Sequence, residues 1–88
     1  KPEKFFSDVR EWLSAGNRVI VVASGHGSLE RISEELRNHD LGALLEEKLP
    51  ENLEPLNVYL VQAQLDNGFI VPESRLVVLS ETDLVGQR

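Results

Sequence analysis

The sequence predicts a small α/β domain with a mostly parallel sheet flanked by helices. Residues 18–23 read RVIVVA, an apolar run without polar alternation, which is typical of a strand covered on both faces in a parallel sheet. Two further β-prone runs lie at 58–61 and 76–79. Strands separated by helices indicate an α/β layer, and 88 residues allow one core. We therefore expect a single domain over 1–88, with a linker starting at 84–88.

The first predicted helix precedes the central strand. Its apolar residues fall on one helical face: Phe5, Val9, Trp12 and Leu13. Pro2 suits a helix start, and Gly16-Asn17 supplies residues that tolerate the left-handed conformation ending a helix. Large aromatic side chains dominate core burial, so this spacing favours core packing for Trp12 over a recognition role.

A glycine loop and a second helix follow the central strand. The loop provides four candidate anion-binding residues: Ser24, Gly25, Gly27 and Ser28. Backbone amides at a helix start can cradle a phosphate, but a Walker loop needs Gly-Lys-Ser/Thr where this chain has Ser28-Leu29-Glu30. A dinucleotide fingerprint needs a third glycine at the position of Glu30. The favoured interpretation is a structural turn capped by Ser28 or a neighbour, before a helix from about 29 to 38. A phosphate site is the alternative.

Neither histidine predicts catalysis or metal binding. A general base at His26 needs a group that orients it, and its sequence neighbours are small residues. His39-Asp40 supplies one imidazole and one carboxylate, whereas zinc takes three or four ligands. Solvation at a helix end is the better interpretation of His39. We predict no catalytic residue and no metal ligand.

The segment from 41 to 55 predicts a short helix and a surface loop. Its helical spacing comes from Leu41, Leu44, Leu45 and Leu49, and the later prolines break any continuation. The segment also carries an acidic cluster, defined as Glu46, Glu47, Glu51 and Glu54. Such a cluster is usually a solvated face, with attraction of a basic partner as the alternative.

The remaining stretch predicts the other two strands. Asp66-Asn67-Gly68 is expected to form a turn in which Asn or Gly takes positive φ, and Pro72 marks the connection that separates the strands. Glu81 and Asp83 are expected to form a solvated exit, with a docking surface as the alternative.

Charge and composition argue against several classes of function. Nine Lys and Arg against fifteen Asp and Glu give a net charge of -6, which repels nucleic acid and anionic membranes. The absence of cysteine from the sequence excludes disulfides and thiolate sites, and is consistent with a reducing compartment. The longest apolar run, 19–23, is too short to span a bilayer. We therefore expect a cytoplasmic location and no membrane partner.

Two stretches carry a family resemblance. They read RVIVVASGHGSLERISEELRNHDL and VYLVQAQLDNGFIVPESRLVVLSETDLVGQR. This order resembles the bacterial transcription-repair coupling factor family (Mfd), in the small domain between its UvrB-like module and its RNA-polymerase-interacting domain. The resemblance covers nearly all 88 residues and is most specific at Gly68-Phe69 and across 75–86, where the family has a strand running into an acidic Leu-x-Gly exit.

The same stretch is similar to a degenerate RecA-like helicase C-terminal lobe. A helicase lobe that acts on ATP carries a Gln-x-x-Gly-Arg-x-x-Arg motif, which this sequence lacks along with a Walker lysine. Phosphoryl transfer needs groups that position phosphate, hold a metal and stabilise charge, and none can be assigned here. The sequence therefore predicts no enzymatic activity for this chain.

The resemblance implies a non-catalytic structural or spacer domain inside a large DNA-repair protein. That protein would be an ATP-dependent DNA translocase that releases stalled RNA polymerase and recruits nucleotide excision repair. Its partners RNA polymerase, UvrA and double-stranded DNA, and its cofactors ATP and magnesium, would bind other domains. The neighbouring domains of the same chain would be the partners of this one. The alternative is a stand-alone α/β domain that binds a phosphate-bearing ligand.

Overall fold

A computed structural model describes the chain from residue 3 to residue 85. Its helices are α1 (Glu3–Ser14), α2 (His26–Asn38) and α3 (Glu81–Val85). Its strands are β1 (Arg18–Ala23), β2 (Gly42–Leu45), β3 (Asn57–Gln62), β4 (Phe69–Val71) and β5 (Leu76–Ser80), with a 3-10 turn at Pro72–Ser74 before β5. Pro2 and residues 86–88 of the predicted linker lie outside the described residues, while 84 and 85 end α3.

The five strands form one mostly parallel sheet in the order β2-β3-β1-β5-β4. β1 pairs in parallel with β3 on one side and with β5 on the other, and β2 pairs in parallel with β3. Only β4, at one edge, is antiparallel. The predicted α/β class, the parallel sheet and the central place of β1 are confirmed.

The two faces of the sheet are covered differently. α1 and α2 pack on one face, where they bury a core that includes Phe6, Ile32 and Leu60. Trp12 packs against this core, which confirms its predicted role. The opposite face buries a smaller cluster, around Ile20, under loop residues rather than helices.

Chain direction explains this difference. The crossover through α2 carries the chain across the sheet from the central β1 to the edge at β2. The connections from β2 to β3 and from β3 to β5 move in the opposite direction, toward the β4 edge. Parallel crossovers are right-handed, so the returning connections belong on the other face. In these connections, Leu53 and Leu65 of the irregular segments pack on that face. The second layer of this domain is therefore irregular chain.

The predicted helix at 41–49 is wrong, because its first part is the edge strand β2. α2 ends at Asn38 with His39 as its C-cap, and Asp40 takes a left-handed φ of 61° that turns the chain. Ala43 then lies beside Val58 and Leu45 beside Leu60 in the parallel ladder with β3. Pairing with a distant strand thus overrides a leucine spacing that also fits a helix.

The start of α2 also differs from the prediction. The helix begins at His26, three residues earlier than predicted, and its N-cap is Gly25, without a side-chain cap. Ser28 lies inside the first turn and does not cap the helix. The predicted end near residue 38 is confirmed.

The predicted positive φ at 66–68 is wrong. Within residues 3–85, positive φ occurs at Gly16, Asp40 and Arg75. Gly16, with φ 89°, ends α1 as predicted. Gly68 instead lies where β5 leaves no room for a side chain, since a Cβ there would be 3.0 Å from Leu79 Cα and closer still to the Val78 carbonyl oxygen.

Candidate functional site

The carboxyl ends of the parallel strands meet at one edge of the sheet. In open α/β sheets this edge is where ligands bind. A cavity of about 270 Å³ lies there, between the start of α2 and the ends of β2 and β3. We call it the strand-end cavity, and it is lined by His26, Leu29, Leu45, Glu46, Glu47 and Gln62.

The predicted anion loop borders this cavity. Ser24 is an exposed bend residue, Gly25 is the N-cap, and Gly27 and Ser28 lie in the first turn of α2. The carboxylate-bearing residues Glu46 and Glu47 line the cavity beside that turn. Like charges repel, so this arrangement disfavours a phosphate there. Phosphate binding at the loop stays the alternative to a structural turn.

Both histidines have local contacts. His26 Nε2 lies 3.2 Å from Glu30 Oε2, on an exposed turn of α2. His39 stacks on Phe6 at a centroid distance of 4.0 Å and an interplanar angle of 12°, and its Nδ1 lies 2.9 Å from the Glu35 carbonyl oxygen. His39 therefore packs at the end of α2 on an aromatic ring, which is more than the helix-end solvation predicted for it.

The arginines near the cavity are used in internal contacts. Arg31 pairs with Glu81 at 3.4 Å and so connects α2 to α3. Arg37 donates to the Ala43 carbonyl oxygen at 3.0 Å, which covers part of the β2 edge. A further pair of charged residues lies on α1, outside the cavity lining. On the exposed face of α1, a hydrogen bond from Lys4 to Asp8 raises the pKa of Lys4.

Between residues 3 and 85, no group of three or more His, Asp or Glu could hold a metal ion.

The acidic segment after β5 forms the carboxylate half of a capping box at the start of α3. Asp83 Oδ2 accepts hydrogen bonds from the Ser80 backbone N–H at 2.8 Å and from the Gly68 N–H at 3.0 Å. Ser80 Oγ and Thr82 Oγ1 both donate to the Asp66 carbonyl oxygen. A capping box satisfies N–H groups at a helix start, and this one also holds the 66–68 turn. Asp83 is thus a half-buried acceptor and not the solvated residue predicted.

Asp83→Ala is expected to lower the free energy of unfolding by about 1–3 kcal/mol, because two backbone N–H groups lose their acceptor. Urea denaturation followed by far-UV circular dichroism measures the loss. Glu81→Ala is the matched control, since its only described contact is a long surface ion pair, and it should cost less than about 1 kcal/mol. Equal losses in the two variants would rule out the capping role.

Sequence reasoning missed most of the strand-end cavity. The predicted helix over 41–49 puts Glu46 and Glu47 on a solvated face and Leu45 on an apolar face. The position of Gln62 at the end of a predicted parallel strand is the signal in the sequence that points to this cavity. Gln62 Nε2 donates to the Ser24 carbonyl oxygen at 2.9 Å, which joins the ends of β3 and β1.

Comparisons with known proteins agree with the resemblance of the sequence. A family model described as "MFD, D3 domain" matches residues 13–84. Transcription-repair-coupling factors of Mycobacterium bovis and Mycobacterium tuberculosis are each 34% identical over 88 residues, which is 98% of this chain and 7% of each relative. No helix among residues 3–85 is long and apolar enough to cross a membrane. The chain belongs to the D3-domain family of transcription-repair-coupling factors.

Proposed function

We propose that this domain is a non-catalytic packing and spacer module of a transcription-repair coupling factor. It holds the repair-recruiting half of that protein relative to the polymerase-binding half, and its partners are the neighbouring domains. The observation that carries this proposal is that three polar side chains are used in internal contacts. Asp83 caps α3, Gln62 joins two strands, and Arg31 connects two helices.

The activities of the whole protein belong to regions beyond this chain, which spans 7% of the length of its curated relatives. We propose that those regions form an ATP-dependent translocase on double-stranded DNA that releases stalled RNA polymerase. They also recruit nucleotide excision repair through UvrA, and they bind ATP and magnesium. The protein acts in the cytoplasm.

The isolated 88-residue chain is expected to show no ATP hydrolysis and no binding of double-stranded DNA. The repulsive net charge of -6 and the absence of a Walker lysine from the sequence are the physical reasons. A coupled-enzyme assay with ATP and magnesium, with and without duplex DNA, measures turnover. Fluorescence anisotropy of a labelled duplex at low salt measures binding. Turnover above that of a buffer blank, co-purifying with the folded chain, would contradict the proposal.

A phosphate-binding domain is the alternative function, and the described contacts give it no support. An NMR titration with phosphate distinguishes it from the spacer function. Inorganic phosphate would shift the amide NMR signals of Gly25 and Gly27 with a saturating dependence on concentration, because these two residues lie at the start of α2.

A further inference from the structure

We propose that the strand-end cavity is a docking site for an arginine or lysine side chain of a partner polypeptide whose adjacent side chains are apolar. The proposal goes beyond the spacer function and does not depend on it. Its basis is the shape of the cavity, its charge and the exposed leucines beside it.

The inner wall of the cavity is apolar. Leu29 is 2% exposed and belongs to the helix-side core. Leu45 pairs with buried Leu60 in the ladder. It is itself 36% exposed, because β2 is an edge strand and has no neighbouring strand on its other side. The core thus reaches the surface at Leu45, where it can cover the aliphatic stem of a long cationic side chain.

The rim of the cavity is acidic. Among the residues that the structure describes, neither Glu46 nor Glu47 forms an ion pair. The α2 cations Arg31 and Arg37 are used in contacts to α3 and β2, and His26 lies against Glu30. Lys48 follows Glu47 in the sequence but is exposed and does not line the cavity. The charge that complements this rim is therefore positive.

The cavity is held in shape before any partner arrives. The Glu46 backbone N–H donates to the Leu60 carbonyl oxygen at 2.9 Å, which extends the β2–β3 ladder as far as the rim. Gln62 is fixed on the other side by its hydrogen bond to Ser24. Preorganisation lowers the entropic cost of binding. At about 270 Å³ the cavity falls below the usual range for drug-sized ligands, roughly 300–1,000 Å³, and is suited to a single side chain.

The surroundings indicate what accompanies the cation. Leu45 at the end of β2 and Leu49 in the loop after it are 36% and 43% exposed, and they flank Glu46 and Glu47 in the sequence. Single exposed leucines are ordinary, but two beside the same pair of acidic residues are typical of an interaction surface with a polar rim. A peptide segment with apolar residues beside its cation complements both features.

Amide NMR of the labelled 88-residue chain tests this proposal with acetyl-Leu-Arg-Leu-amide as the probe. Saturable shifts are expected at Leu45, Glu46, Glu47 and Gln62. The matched probe acetyl-Leu-citrulline-Leu-amide replaces the guanidinium by a neutral group of similar shape. It should bind about three- to tenfold more weakly, the range expected for loss of exposed charge pairs.

Two double variants separate local docking from the overall negative field. E46Q/E47Q removes the rim charges and should weaken the arginine probe about three- to tenfold. E51Q/E54Q removes the same number of charges from the same loop, outside the cavity lining, and should leave the affinity unchanged. An unchanged circular dichroism spectrum shows that each variant is folded.

Several results would overturn the docking site. Equal binding of the citrulline probe would show that the cation is not recognised, and equal weakening by the two double variants would reduce the effect to net charge. Absence of shifts up to the solubility limit of the probe would exclude the site. Shifts at Gly25 and Gly27 with inorganic phosphate, without shifts from the arginine probe, would assign the cavity to anions instead.

Discussion

Leu60→Ala is expected to lower the free energy of unfolding by about 2–5 kcal/mol. Leu60 is fully buried at the centre of β3, where it packs in the helix-side core between the neighbours Leu45 and Val21 in the ladder. Truncation removes apolar burial and leaves a cavity that a paired strand cannot close. A domain of this size has a total stability of roughly 4–13 kcal/mol, so this loss is a large share of it.

Urea denaturation followed by the fluorescence of the single tryptophan, Trp12, measures this loss, because that side chain packs against the same core. Leu56→Ala is the matched control. It makes the same chemical change just before β3, at a side chain that is 70% exposed, and should alter stability by no more than about 0.5 kcal/mol. Similar midpoints for the two variants would mean that β3 is not buried as described.

Gly68→Ala is expected to lower the free energy of unfolding by about 2–4 kcal/mol. The added Cβ would meet the β5 backbone at Val78 and Leu79, which cannot move without disturbing the ladder to β1. Moving the 66–68 turn away instead would break the hydrogen bond from the Gly68 N–H to Asp83. Either response disrupts a contact that the fold uses.

Gly27→Ala makes the same substitution where there is space. A Cβ at Gly27 would have no atom within 4 Å, and the residue lies in the first turn of α2. Alanine forms helix more readily than glycine, so this variant should gain up to about 1 kcal/mol. Thermal unfolding of both variants provides the comparison. A Gly68→Ala midpoint equal to that of the original chain would refute the close approach of the turn to β5.

The three internal strands could be predicted from the sequence because burial on both faces leaves an unbroken apolar run. β1 has the bounds that RVIVVA indicated, and β3 and β5 each extend the predicted run by one or two residues. The amphipathic faces of α1 and α2 were equally clear. In these elements, local composition and tertiary environment require the same residues.

The edge strands could not be predicted in the same way. β2 has four residues and β4 three, and both are largely exposed. Their strand conformation comes from pairing with β3 and β5, which a local pattern does not record. Phe69 and Val78, paired across β4 and β5, are a contact of this kind.

The candidate site was only partly predictable for the same reason. The loop after β1 was recognised from its glycines, but its partners across the cavity lie on β2 and β3. The sequence shows the charges of Glu46 and Glu47, but a helix over 41–49 would not bring them to that loop. Asp83 was identified within a family pattern, while its role as an acceptor for the Gly68 N–H depends on a turn fifteen residues earlier.

The central position of β1 constrains how the domain can form during synthesis. β1 is made early, yet its two neighbours are β3 and β5, and the pairing of Val19 with Val77 needs nearly the whole chain. A nascent chain that ends before β5 leaves one edge of its most apolar strand unpaired. Such a chain exposes a template for aggregation until the last strand leaves the ribosome. The domain can therefore complete its sheet only after its residues through β5 have been synthesised. Chains truncated before residue 80 should be substrates for chaperones or proteases.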